Sequence, residues 1–177
     1  IIEGSSVSLV ENYTISGLYV KGDNGLSLPA RGLMLLVDQA VSTTTPLFKN
    51  ITITNVVVQG TSGSGIICTK GSFENVTIQG VVEGGCSVAG LYLTPGRPSG
   101  SGTLTGTMKS CNFEVNVIDV DGTGFLASQA NGTIVDCRCD VHISNPGDTY
   151  SGASIDGSYW SGSVVGDSDP NAEQVSP

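Results

Sequence analysis

Three kinds of residue in this chain could do chemistry: acidic pairs, a single histidine and five cysteines. Asp119 with Asp121, and Asp136 with Asp140, are the carboxylate pairs that acid–base hydrolysis would need. Asp119 and Asp121 share a face if extended, but no acidic column repeats beside them, so solvated or turn-forming Asp is the expected role. His142 is the only histidine, and no Ser or Cys stands beside it as a nucleophile. It reads as a surface residue. Asp119-Val120-Asp121-Gly122 and Asp167-Ser168-Asp169-Pro170-Asn171-Ala172-Glu173 place hard oxygens at alternating positions, as calcium prefers. The second has Ala172 where an EF-hand loop needs glycine, which favours a solvated acidic tail. No enzyme, metal or cofactor is therefore expected, calcium being the one alternative.

The five cysteines have neither zinc spacing nor the density of a disulfide framework. Cys68, Cys111, Cys137 and Cys139 fall at apolar positions and are expected in the core as small apolar residues. If Cys111 and Cys137 stack, a bridge between them stays open as an alternative. Cys86, beside Gly84-Gly85, is the expected free or intermolecular thiol.

Composition narrows what must position these residues. Of 177 residues, 25 are Gly, 22 Ser and 16 Thr, while 13% are charged and 38% hydrophobic. That much apolar surface excludes a charged disordered chain, and Val, Ile, Thr and Gly favour strands over a helical bundle. The formal charge of −9 repels phosphate backbones, so nucleic acid is not an expected partner. No run approaches the length of a membrane-spanning helix. The chain opens Ile1-Ile2-Glu3 with no initiator Met or leader, as a processed product or part of a longer protein would. Few Lys, abundant Ser, Thr and Gly, and Asn-x-Thr sequons at Asn12, Asn50, Asn75 and Asn131 favour an extracellular or cell-surface location.

An internal repeat organises the chain. Phe48-Lys49-Asn50-Ile51-Thr52-Ile53 matches Phe73-Glu74-Asn75-Val76-Thr77-Ile78, and the same frame recurs at Asn12, Ser110, Asp136 and Ser161. Two residues before these stand Val10, Phe48, Phe73, Met108, Ile134 and Tyr159. One after stand Tyr13, Ile51, Val76, Cys111, Cys137 and Gly162, and three after stand Ile15, Ile53, Ile78, Phe113, Cys139 and Val164. Seven after stand Tyr19, Val57, Val82, Val117 and Ile143, all read as inward. Thr14, Thr52, Thr77, Asn112, Arg138 and Ser163 alternate with them as outward residues. A Gly opens a second short strand in five units, at Leu33, Ile66, Leu91, Phe125 and Ala153.

A unit of about 25 residues cannot bury its own core, but stacked copies can. The predicted fold is all-β: a single-domain parallel β-helix, or β-solenoid, of about six rungs. It spans residues 1–166, with an acidic tail over 167–177. The reference column of Asn12, Asn50, Asn75, Ser110, Asp136 and Ser161 reads as a structural ladder whose side chains bond to neighbouring backbone turns. Asn131, in Ala130-Asn131-Gly132-Thr133, is the sequon expected to be exposed for a glycan.

Gly132-Thr133-Ile134-Val135-Asp136-Cys137, Gly106-Thr107-Met108-Lys109-Ser110-Cys111 and Gly71-Ser72-Phe73-Glu74-Asn75-Val76 resemble the turn-and-strand half of the GLUG-motif repeats of bacterial surface and secreted proteins. Gly90-Leu91-Tyr92 and Gly124-Phe125-Leu126 match the other half, although its second Gly is missing in every copy. The resemblance covers about residues 8 to 166 and implies a β-solenoid scaffold, stalk or adhesive region, with no catalytic residue to transfer.

Two insertions, Val37 to Pro46 and Thr94 to Gly102, fall at the same point of the repeat and should emerge on one edge. Binding loops often cluster this way, though exposed turns also tolerate added length. The expected ligand contacts are Thr43, Thr44, Thr45, Tyr92 and Arg97. The outward Thr14, Thr52 and Thr77 resemble the ranks of ice-binding solenoids, but Asn112 and Arg138 interrupt the rank. No capping helix is evident at either end, so open strand edges are expected to pair with further solenoid or with another copy. The expected function is a non-enzymatic extracellular structural or adhesive element, as a fibre subunit or surface stalk. The alternative is a carbohydrate-binding or polysaccharide-cleaving β-helix.

Overall fold

The computed structural model describes residues 2–3, 9–21, 33–36, 47–59, 65–69, 71–83, 91–94, 106–118, 125–128, 132–144, 153–156 and 160–167. Among these residues the fold is all-β, with every strand pairing parallel and no helix.

The larger sheet holds the repeat frame. Its strands are β2 (Leu9–Ser16), β3 (Tyr19–Lys21), β5 (Leu47–Gln59), β7 (Ser72–Glu83), β9 (Gly106–Lys109), β10 (Asn112–Ile118), β12 (Gly132–Ser144) and β14 (Trp160–Asp167). The smaller sheet runs in the order β1 (Ile2–Glu3), β4 (Leu33–Leu36), β6 (Ile66–Thr69), β8 (Leu91–Thr94), β11 (Phe125–Ser128) and β13 (Ala153–Asp156). The last five begin one residue after the predicted Gly openers.

Pairing follows the columns of the repeat. Val10 pairs with Phe48, Phe48 with Phe73, Phe73 with Met108, and Met108 with Ile134. Phe48 and Phe73 stack with ring centroids 5.2 Å apart and planes 9° from parallel. These side chains join Ile51, Ile53, Val76, Ile78, Phe113 and Val117 in a buried cluster that also takes Ile66, Cys68, Leu91 and Leu93 from the smaller sheet.

The reference column explains how one strand can turn yet stay paired. Asn12, Asn50, Asn75, Ser110 and Asp136 all have left-handed backbones, with φ between 52° and 63°. Strict alternation after Phe48 would put Asn50 inward; the left-handed residue absorbs one position, so Phe48 and Ile51 both face the core. Asn, Asp and Ser suit this place because a short polar side chain tolerates positive φ better than a bulky one.

Four details differ from expectation. Gly17 and Asn55 form a second left-handed corner in the first two units, with φ of 78° and 54°. That extra corner shifts the register between Ile53 and Val56, so Val56 pairs with Gly80, and Val58 with Val82. Val58 is consequently buried, whereas Tyr19 is 57% exposed and Val57 partly so. The inward reading of Tyr19 and Val57 is thereby corrected. Tyr13, also expected inward, is 52% exposed on β2. At the sixth unit Ile134 pairs with Trp160, where Tyr159 was the expected partner, before Cys137 and Gly162 restore the frame. Strand β14 also runs to Asp167, one residue beyond the predicted limit of the repeat domain.

Candidate functional site

Parallel register gathers polar side chains on the outer face of the larger sheet. Asn112, Glu114 and Asn116 alternate with the buried Phe113, Val115 and Val117 on β10, so they point away from the core. Glu114 lies between Gln79 of β7 and Asp140 of β12, and Asn116 lies between Val81 and His142. Gln79 Nε2 donates to Glu114 Oε2 at 2.8 Å. Asp140 contacts Arg138 Nη2 at 3.2 Å and His142 Nε2 at 3.0 Å.

A groove of about 380 Å³ opens beside this strip, where the Asn55 corner meets Gly80. Its lining includes Asn55, Gln79, Val81, Glu114 and Asn116. Gly80 is required by close approach: a Cβ there would stand 2.5 Å from the Val56 carbonyl oxygen and 2.8 Å from the Val56 Cβ. Amide donors and carboxylate acceptors thus recur at the strand spacing of about 4.8 Å. Such a row can hydrogen-bond a neutral, hydroxyl-rich ligand. Glu114 is exposed and lacks the water-excluding enclosure of a general acid, while Asp140, with one oxygen buried, is tied to Arg138 and His142.

Of the expected acidic pairs, Asp119 and Asp121 lie outside the described residues. Asp136 occupies an exposed corner with φ 53°, while Asp140 belongs to the outer strip. The carboxylate beside Asp140 across the strand pairing is Glu114, a neighbour that the sequence reading missed. Its signal was available in the fourth column after the reference residue, where Gln79, Glu114 and Asp140 follow one another. Thr43, Thr44, Thr45, Arg97, Asn131, Cys86 and the tail after Asp167 lie outside the described residues. Tyr92 sits on β8 between Ile67 and Leu126, with its side chain outside the described set. Ser161 sits on β14 next to Gly162, likewise without a described side chain.

The Asn residues form a direct amide chain. Asn50 Nδ2 donates to Asn12 Oδ1 at 3.1 Å, and Asn75 Nδ2 donates to Asn50 Oδ1 at 3.0 Å. Their partners in these bonds are side chains, where backbone turns were expected. Thr14, Thr52 and Thr77 pair in one outward column, followed by Asn112 and Arg138.

Cys68, Cys111, Cys137 and Cys139 are all buried free thiols. Burial pushes the Cys68 and Cys139 thiols well above their ordinary value. Cys111 and Cys137 share a hydrogen bond, which raises Cys111 together with its burial, whereas at Cys137 the same bond outweighs burial and holds the thiol below its usual range. Among the described residues no three His, Cys, Asp or Glu side chains are grouped as a metal site.

No family model, curated protein or solved structure matches this chain.

Proposed function

We propose that the chain is a β-solenoid of about six rungs, each about 25 residues long, that serves as a non-enzymatic extracellular structural or adhesive element. The observation that carries this reading is unit-to-unit continuity. Phe48 stacks on Phe73, Asn12 bonds to Asn50 and Asn50 to Asn75, and the inward columns continue through successive parallel pairings. These interactions add one unit to the next, which is what a rod or stalk requires. The likeness to GLUG-motif repeats supports the same reading.

Self-association is part of the proposal. Leu9 and Tyr13 on β2 are 41% and 52% exposed, although Leu47 and Ile51, which pair with them, are partly or fully covered. A second copy adding its own strand beside β2 would cover them as β5 is covered by β7. Electron microscopy of the native material, with light scattering, tests this. Regular filaments or end-to-end oligomers support it, and monodisperse 18.0 kDa particles contradict the fibre.

A second reading rests on the Glu114–Asp140 neighbours and the adjoining groove: binding of neutral polysaccharide along the outer face. Affinity electrophoresis in gels containing neutral soluble polysaccharides should then show retardation that Glu114→Gln weakens. Equal mobility with and without every polysaccharide contradicts it.

A further inference from the structure

The larger sheet brings two cysteines into one buried column on neighbouring strands. Cys111 immediately precedes β10, and Cys137 lies within β12. The backbone is pinned on both sides of the pair. Ser110 N–H donates to the Val135 carbonyl at 3.1 Å, and Arg138 N–H donates to the Cys111 carbonyl at 2.9 Å. Neighbouring strands lie about 4.8 Å apart, inside the span of about 4.4 to 6.8 Å that a disulfide bridges. The Cys137 sulfur already leans across, accepting the Cys111 N–H at 3.4 Å. Cys111 Sγ donates weakly toward the carbonyls of Lys109 and Phe73, at 3.3 and 3.6 Å. A χ1 rotation trades these contacts for a bond to sulfur.

We infer that Cys111 and Cys137 form a disulfide that staples the fourth repeat unit to the fifth when the chain folds in an oxidising compartment. The other buried thiols are placed differently. Cys139 pairs with Phe113, and Cys68 sits in the smaller sheet between Leu35 and Leu93.

The oxidant is a small-molecule disulfide such as oxidised glutathione. The Cys137 thiolate attacks one of its sulfurs, breaking that S–S bond and releasing one glutathione thiolate, which takes up a proton. Cys111, having lost its proton to solvent, then attacks the Cys137 sulfur of the mixed disulfide and expels the second glutathione. Two protein thiols are oxidised, and one glutathione disulfide is reduced to two glutathiones. The hydrogen bond from Cys111 favours the Cys137 thiolate as first attacker. Both side chains are nearly inaccessible once folded, at 2% and 1% exposure, so the bond closes while the strands are pairing.

The test is thiol mapping on the full chain, refolded from urea in a glutathione redox buffer, alkylated and digested with trypsin. Cleavage after Lys109 and Arg138 isolates Ser110–Arg138, which contains Cys111 and Cys137 and no other cysteine. The expected result is this peptide unalkylated and lighter by one pair of hydrogens, with Cys68 and Cys139 alkylated. The oxidised protein should melt about 8 °C above its reduced form, as closure of a loop of this size implies. Cys111→Ser should abolish that difference. Alkylation of both Cys111 and Cys137 in refolded protein, or recovery of either bridged to another cysteine, overturns the inference.

Discussion

Asn50 has a left-handed backbone inside a strand, and that conformation is tolerable because its side chain is short and both ends of its amide are used. Asn50→Ala should destabilise the chain by about 2 kcal/mol, combining the left-handed penalty with two lost hydrogen bonds. Asn50→Gly keeps the backbone freedom and should cost roughly half as much. Urea unfolding of the two variants checks the order, and equal losses would separate the ladder from the backbone argument. The Cys68 and Cys139 thiols give a second prediction at this scale. Their folded pKa values are raised, so the stability they contribute is present below the ordinary value of 9.0 and is lost as pH rises above it. Reduced protein should lose about 1.4 kcal/mol per pH unit for each such thiol above that point. Urea midpoints between about pH 8 and about pH 10 should fall, with a shallower fall in Cys68→Ala. At this scale the sequence was readable where residue type repeats: an Asn, Asp or Ser column announces a corner. At Glu114 the column was visible but easy to pass over, because Thr54, Gln79, Glu114 and Asp140 share a position and no common chemistry.

The strands show which local rules carry over to the element. The five Gly-opened strands of the smaller sheet were legible because each is a short apolar run with a fixed opener. The slip at Asn55 was not, because Tyr19, Val57 and Val82 are all apolar and conceal a one-residue shift. Gly80 is the counterpart of that slip. Gly80→Ala should cost about 1–3 kcal/mol through contact with Val56. Deleting Asn55 removes the extra corner, so Gly80→Ala should cost less in that background. A double-mutant cycle measured by urea unfolding gives the coupling, and strict additivity would contradict the pairing of corner and glycine. Phe73→Ala tests the inward column. It removes a stacked ring from the fully buried cluster and should cost about 3–5 kcal/mol. The Lys49–Glu74 pair, 3.0 Å apart but 36% and 40% exposed, contributes far less, so Lys49→Ala should change stability by under about 1 kcal/mol.

At the scale of the molecule, repetition in the sequence meets parallel pairing among the described strands. Among the described strands of the larger sheet, the apolar columns of one are continued by the strands paired beside it. That continuity accounts for a chain rich in Gly, Ser and Thr that still buries Phe, Ile and Val in one cluster. It also explains why chemistry-bearing residues taken singly were poor guides: Asp140 acquires its neighbour Glu114 only through stacking of β10 on β12. Register between the paired strands is therefore what the fold depends on. Nitroxide amino acids introduced at Thr52 and Thr77 place two spins on directly paired, outward positions of β5 and β7. Parallel register predicts strong dipolar broadening for this pair, at about the 4.8 Å strand spacing, and weaker broadening for Thr14 with Thr77, two strands apart. Unbroadened spectra for Thr52 with Thr77, in protein that keeps its strand circular dichroism, would contradict it.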